Sequence, residues 1–259
     1  MPLLDSGINF DTYGDRHNPP LLLIMGLAVS SRAWDRLPQL LAQRFFVIVF
    51  DNRGTGRSAR RGFAYRMAGL ADDAAAVLDA AGARDAHVFG ISMGGMIAQE
   101  LALRHPDRVR SLALGCTFAC WRSARAPSLR TKIDLLLLNL GSATAARLGR
   151  LLVSPQWHSQ NPTSALEWIR RAEPTRFRSA LAQLLAVGRH NTTSRLAQIR
   201  APTLVLTGDM DRLIPPQNSE VLARAIPGAR LLMLQGAGHA FPLEREEETI
   251  RELTAHFLS

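Results

Sequence analysis

The chain has few cysteines and no evident set of metal ligands. Cys116 and Cys120 are the only two cysteines among 259 residues. Their C-x₃-C spacing has no second cysteine pair or histidine cluster nearby in the sequence, as a structural zinc site would require. Two cysteines also cannot form the dense disulfide framework of a small secreted domain. We therefore expect both thiols to be reduced and partly buried, with no bound metal.

Long apolar segments are also lacking. No stretch of the chain approaches the ~20 consecutive apolar residues that a transmembrane helix needs. Residues 1–6 show no basic region leading into a long apolar segment, which a secretory signal would have. The expectation is a cytoplasmic protein without a membrane partner.

Acidic residues are scarce in one part of the chain. In total there are 31 Arg and Lys against 22 Asp and Glu, a net charge of +9. Residues 119–198 hold 12 of the basic residues and only three acidic ones, so this segment carries the whole excess. Because no DNA-binding signature accompanies the arginines, we expect no nucleic-acid partner. They indicate either a solvated face or a local attraction for anionic substrates.

Apolar runs alternate with helical patterns on both sides of this segment. Strands are predicted at 8–13, 21–24, 45–50, 87–89, 109–115, 203–207 and 229–234. Such alternation predicts an α/β fold with a mostly parallel sheet flanked by helices. Helical patterns at 135–140, 144–152 and 165–187 occupy the insert instead. We therefore predict a core from 1–118 and 199–259, which encloses a helical cap at 119–198.

A G-x-S-x-G pentapeptide, Gly90 to Gly94, lies between an apolar run and a helical one. This context predicts a sharp turn from strand to helix with Ser92 exposed at its apex. The turn leaves little room for side chains two positions away, which explains the two glycines. Ser92 is the candidate nucleophile.

A serine hydroxyl needs a base within hydrogen-bond reach, and the base needs a carboxylate to orient it. His239 is the candidate base because it follows the last predicted strand in a glycine-rich loop. The other six histidines fit structural or solvated positions better. Asp209 and Asp211 both follow the preceding strand; Asp211 is preferred because it lies deeper in the loop, whereas Asp209 fits a turn-stabilising role.

These motifs together resemble those of the α/β-hydrolase superfamily, in particular small bacterial carboxylesterases and lactonases with a helical cap. The resemblance rests on the elbow at 90–95, the loop at 51–58, the acid motif at 208–215 and the base motif at 236–239, and it covers almost the whole chain. The order Ser92, Asp211, His239 is the one found in this superfamily. The 51–58 loop lacks a Walker lysine, and we assign it a structural role.

The resemblance also implies an oxyanion hole made of two backbone N–H groups. Met93, directly after the nucleophile, supplies the first. The second comes from the loop after the strand at 21–24, where the family usually has His-Gly; here the dipeptide is Met25-Gly26, which makes Leu27 the expected donor.

The resemblance implies a serine hydrolase that cleaves carboxylic esters through an acyl-enzyme, with a small-molecule substrate and no cofactor. The elbow is also similar to that of 3-oxoadipate enol-lactonases, so a lactonase, including one for acyl-homoserine lactones, is the first alternative. A cofactor-free perhydrolase and a non-catalytic ligand receptor are further alternatives. The leucines at 135–138 with Phe118, Trp121, Trp157 and Trp168 either line an acyl pocket or pack the cap against the core.

Overall fold

The computed structural model describes residues 7–59, 62, 64–139, 144–173 and 175–259, without the side chains of 135–139 and 145. Within these ranges lies a seven-stranded sheet in the order β1-β3-β2-β4-β5-β6-β7. β1 is antiparallel to β3, and the other pairs are parallel. The predicted fold class is thereby confirmed. The strands are β1 (Phe10–Tyr13), β2 (Pro20–Ile24), β3 (Phe46–Phe50), β4 (Ala86–Ile91), β5 (Val109–Gly115), β6 (Thr203–Gly208) and β7 (Arg230–Leu234).

The central strands are buried on both faces, which explains their continuous apolar sequences. In β2, Leu22 and Ile24 belong to one apolar cluster, and Leu21 and Leu23 belong to the other. Helices therefore cover both faces of the sheet. Outside the insert they are α1 (Leu37–Leu41), α2 (Met67–Ala80), α3 (Met93–Arg104), α9 (Gln217–Ala225), α10 (Phe241–Glu244) and α11 (Glu246–Phe257). None of the described helices is both long enough and apolar enough to cross a bilayer.

The described part of the insert between β5 and β6 forms helices. These are α4 (Leu129–Asn139), α5 (Ala145–Leu152), α6 (Pro155–Gln160), α7 (Ser164–Arg171) and α8 (Phe177–Arg189). An isolated antiparallel bridge pairs Cys120 with Asn191, where the insert leaves the core and returns to it. The boundaries at 119 and 198 stay a prediction.

The helical pattern at 165–187 is divided between α7 and α8, which differs from the single helical stretch we expected. Residue 174, which lies outside the described residues, is a proline. Because proline has no N–H to donate and its ring clashes with the preceding turn, one helix cannot run undistorted through this position. The proline is visible in the sequence, so this break could have been predicted.

The sheet brings three loops to one edge. β4, β5, β6 and β7 are consecutive parallel neighbours, so the segments after them meet at their carboxyl ends. Open α/β sheets bind their ligands in this position. The loops after β4, β6 and β7 carry Ser92, Asp211 and His239, respectively.

Candidate active site

Ser92 lies between β4 and α3 with φ 55° and ψ −122°, a conformation that non-glycine residues rarely adopt. A Cβ on Gly90 would overlap the carbonyl of Gly94, and a Cβ on Gly94 would overlap the carbonyl of Ile24. Both glycines are therefore required by close backbone approach, as the sequence predicts. The strained turn holds Ser92 half-buried at the end of the strand.

Two hydrogen bonds fix the backbone of Ser92. Its N–H donates to the carbonyl of Gly115 over 2.9 Å, and its own carbonyl accepts from Thr117 Oγ1 over 2.8 Å. Both partners come from the end of β5 and the residues just after it. The neighbouring strand therefore helps to support the turn against its unfavourable backbone conformation.

The candidate base and acid are in direct contact. His239 Nδ1 and Asp211 Oδ2 are 2.8 Å apart, and both side chains are buried. The other carboxylate oxygen, Asp211 Oδ1, accepts from the N–H groups of Leu213 and Ile214, each over 2.8 Å. These bonds fix the carboxylate and orient the imidazole, which leaves Nε2 as the nitrogen available to a reacting group.

Asp209 has a different partner. Its Oδ1 accepts from the N–H of Gly236 over 2.7 Å, so this carboxylate joins the loop after β6 to the loop that carries His239. The contact links two loops, whereas the sequence led us to expect a role within the turn of Asp209 itself. Of the two aspartates, Asp211 is the one that contacts the imidazole.

Opposing effects act on His239. Burial alone would lower the pKa of this imidazole, but the negative charge of Asp211 outweighs it and raises the pKa well above its usual value. No hydrogen bond joins Ser92 to His239 in the described structure. Sites without substrate often hold this contact loosely and tighten it on binding.

The two candidate oxyanion donors belong to segments that lie next to Ser92. Met93 is the first residue of α3, and the first N–H groups of a helix have no acceptor within the helix. Leu27 follows Gly26, where an added Cβ would lie 3.3 Å from Ser92 Cβ. The loop after β2 therefore passes directly beside the nucleophile, as a second donor from this loop requires.

Two side chains hold that loop in place. Asn52 Nδ2 donates to the carbonyl of Met25 over 2.9 Å. Gln183, a fully buried residue of α8, accepts the N–H of Ala28 at its Oε1 over 2.8 Å. Its Nε2 donates to Arg53 O and Thr55 Oγ1. α8 thus contacts the loop that carries Leu27.

The loop at 51–58 has the structural role that its sequence indicates. Asp51 Oδ1 accepts from the backbone N–H and the hydroxyl of Ser31, over 2.7 and 2.8 Å. Arg53 forms an ion pair with Asp73 of α2. This part of the sequence ties neighbouring loops and a helix together.

Cys116 lies unexpectedly close to the site. Its Sγ donates to the carbonyl of His239 over 3.4 Å, and its sulfur lies within 4.8 Å of ligand atoms of Asp211 and His239. Burial raises the pKa of the thiol, which keeps it in the neutral form. Both cysteines are free and buried. No local sequence pattern points to this contact, which spans 123 residues of the chain.

The candidate acyl-pocket residues have different surroundings. Phe118 is buried and packs against Trp121, which is 53% exposed, with ring centroids 6.0 Å apart. Trp168 Nε1 donates to the carbonyl of Ala33 over 2.6 Å, which is a contact between α7 and the segment after β2. The side chains of Leu135–Leu138 lie outside the described ones. A role for these residues in binding an acyl group stays a prediction.

Glu244 joins the loop that carries His239 to the insert. This buried carboxylate accepts from the N–H of Gly238 over 2.7 Å and from the N–H of Ser154 over 2.9 Å. Next to it, the N–H of Ala240 donates to the carbonyl of Leu152 over 2.7 Å. The residues on both sides of His239 are therefore bonded to the end of α5 and the start of α6.

We expect Glu244→Gln to lower kcat by about 10- to 100-fold while leaving KM nearly unchanged. An amide has only one acceptor oxygen, so the N–H of either Gly238 or Ser154 would face an NH₂ group. The loop that carries His239 would then shift. Steady-state kinetics with a soluble ester would measure this, with Glu247→Gln on the exposed face of α11 as the matched control. A loss of thermal stability with an unchanged kcat would contradict the positioning role.

The chain is similar to several known proteins along most of its length. A family model described as alpha/beta hydrolase fold matches residues 19–246. Among curated proteins, the putative carbamate hydrolase RutD of Azorhizobium caulinodans is 36% identical over 93% of this chain and 92% of its own length. Rhodomycin D methylesterase DauP of Streptomyces sp. strain C5 is 34% identical over 94% and 92%. Among solved structures, Est816, described as an N-acyl homoserine lactone degrading enzyme, superimposes with a TM-score of 0.82 at 29% identity over 96% of both chains.

Proposed function

The chain belongs to the alpha/beta hydrolase fold family, and on this premise we propose that it is a serine hydrolase that cleaves carboxylic esters. In this proposal Ser92 is the nucleophile, His239 the general base and Asp211 the residue that orients the base. The observation that carries the proposal is the 2.8 Å contact between His239 Nδ1 and Asp211 Oδ2, at the same sheet edge as the strained turn of Ser92.

In the first half of the reaction, Ser92 Oγ attacks the ester carbonyl and its proton passes to His239 Nε2. The carbonyl carbon becomes tetrahedral, and its oxygen acquires a negative charge. The N–H groups of Met93 and Leu27 are proposed to stabilise that charge, because Met93 directly follows Ser92 and the loop that carries Leu27 passes beside it. His239 then returns the proton to the leaving alcohol, the ester C–O bond breaks, and the acyl group stays on Ser92.

In the second half, water attacks the acyl-enzyme and gives its proton to His239. Collapse of the second tetrahedral intermediate releases the carboxylic acid and restores the Ser92 hydroxyl. The charge of Asp211 stabilises the imidazolium in both halves. Each proton that reaches Nε2 leaves it again within the cycle, so the reaction needs no external acid or base.

A lactone is the second candidate substrate. It is a cyclic ester, and the same residues would open it, with the alcohol remaining attached to the acyl product. Similarity to Est816 over 96% of both chains supports this candidate. The helical segment 119–198, which we propose is the cap, holds the arginine excess and would favour a substrate that carries a negative charge.

A substrate panel tests the proposal. We expect p-nitrophenyl esters of increasing acyl length to be hydrolysed with a maximum at one length, because an apolar pocket discriminates by the methylenes it can bury. An enol-lactone, an N-acyl homoserine lactone and an aryl carbamate complete the panel, and Ser92→Ala supplies the background rate. Fast lactone opening with slow ester turnover would favour the lactonase. No serine-dependent turnover of any member would contradict the hydrolase proposal and favour a ligand receptor.

A further inference from the structure

α8 has two different faces. Ala182, Gln183, Ala186 and Val187 point towards the rest of the protein and are buried. On the opposite side, Phe177, Leu181, Leu184 and Leu185 are 77%, 43%, 44% and 46% exposed. Leu181, Leu184 and Leu185 lie four, seven and eight positions after Phe177. At these spacings the four side chains fall within about 100° of the helix circumference and form one apolar stripe. We refer to them as the α8 stripe.

Exposed apolar side chains are concentrated in the insert. Of ten large hydrophobic side chains that are exposed in the described structure, seven lie between residues 121 and 185. Isolated exposed leucines are ordinary on protein surfaces, but a contiguous apolar patch marks a binding surface. The α8 stripe is contiguous because its members follow one another along a single helix.

The charged residues of α8 and its N-cap are all arginines. Arg176, Arg178 and Arg189 are exposed at the two ends of α8. No aspartate or glutamate occurs anywhere between Glu173 and Asp209. An apolar stripe with arginines at its edges and no acidic residue is the pattern of a helix that lies in the interface of an anionic membrane.

We propose that the α8 stripe docks on the surface of an anionic phospholipid bilayer. The apolar side chains would enter the boundary between head groups and acyl chains, and the arginines would contact lipid phosphates. A second copy of the chain fits this surface poorly, since two stripes packed together would bring both sets of arginines close with no carboxylate on either helix. The sequence predicts no membrane partner because it has no apolar segment long enough to span a bilayer. A helix that only docks on the membrane surface does not need such a segment.

Docking would place the membrane on the outer side of the helix that contacts the candidate site. Gln183, on the inner side of α8, holds the loop that carries Leu27. The bilayer would therefore lie one helix diameter from this loop, about 10 Å. The proposal does not depend on the reaction, because vesicle binding is measured without substrate.

Co-sedimentation with vesicles tests the proposal. We expect binding to vesicles with about 30% phosphatidylglycerol and at least tenfold weaker binding to pure phosphatidylcholine, with the anionic component falling as salt rises. Leu181→Ser with Leu184→Ser should weaken binding at least tenfold, and Arg176→Gln with Arg189→Gln should do so about tenfold or more. The matched controls are Val221→Ser, an exposed apolar residue of α9, and Arg44→Gln, an exposed arginine of the core.

Each outcome decides for or against the proposal. Circular dichroism and the melting temperature show whether the variants are folded, and only folded variants enter the comparison. Absence of binding to anionic vesicles at low salt would overturn docking, and equal binding to both lipid compositions would overturn the role of charge. Full binding by both α8 variants would exclude this surface. A dimer in lipid-free solution that is lost in the leucine variant would assign the stripe to a second copy.

Discussion

Ser92→Ala is expected to lower kcat/KM for a p-nitrophenyl ester by at least about 10⁴-fold. The alanine has no hydroxyl to attack the carbonyl, so no acyl-enzyme forms. The remaining groups could still bind the substrate and polarise its carbonyl, which leaves a small rate above that of water. Initial rates across substrate concentrations would measure the loss, and the melting temperature should stay within a few degrees of the wild type because one hydroxyl is removed from a half-buried position.

A second measurement separates loss of the nucleophile from loss of the site. A fluorophosphonate probe should add one label to the wild-type protein and none to Ser92→Ala, as judged by intact mass. Ser194→Ala, at an exposed serine of the insert, is the matched control and should retain both turnover and labelling. Labelling of Ser92→Ala, or turnover within tenfold of wild type, would show that another residue is the nucleophile.

The parts of the site that could be predicted from sequence are those determined locally. The glycines around Ser92 are adjacent to it in the chain, and Asp211 and His239 each follow a strand within a few residues. Parallel strands then bring these loops together at one edge without further sequence information. The central strands are predicted because buried strands have continuous apolar sequences, and the edge strand β1 is predicted from its alternation of apolar and polar residues.

The contacts that sequence reasoning missed join distant parts of the chain. Gln183 and Ala28 are 155 residues apart, and Glu244 and Ser154 are 90 apart. A single glutamine or glutamate within a helical pattern gives no sign that its side chain is buried and holds a loop. The helices of the insert differ more from their predicted ranges than the strands do, and the break between α7 and α8 lies where the sequence has a proline at residue 174.

Asp211→Asn is expected to lower kcat by about 10⁴-fold with little change in KM. The asparagine oxygen can still accept from the N–H groups of Leu213 and Ile214, so the loop keeps its shape. Its NH₂ group would then face His239 Nδ1 and donate to it. This favours the tautomer with the proton on Nε2, which cannot accept the proton of Ser92.

Asp209→Asn is the matched control for this prediction, because it makes the same chemical change two residues away. Its side-chain oxygen can still accept the N–H of Gly236, and no hydrogen bond joins Asp209 to a histidine in the described structure. We expect kcat to fall less than tenfold. A loss as large as that of Asp211→Asn would mean that the shape of the loop, and not the charge beside the imidazole, supports turnover.

The pH dependence provides an independent test of the same contact. The general base must be neutral, so kcat/KM should rise with pH through the pKa of His239, which the charge of Asp211 holds above its usual value against the opposing effect of burial. Asp211→Asn removes that charge and leaves the burial, so the acidic limb of the residual activity should move to lower pH. Asp209→Asn should leave the limb near its wild-type position. Loss of the negative charge must lower the pKa of the imidazole that Asp211 contacts. An acidic limb that stays in place in Asp211→Asn would therefore mean that the titrating base is not His239.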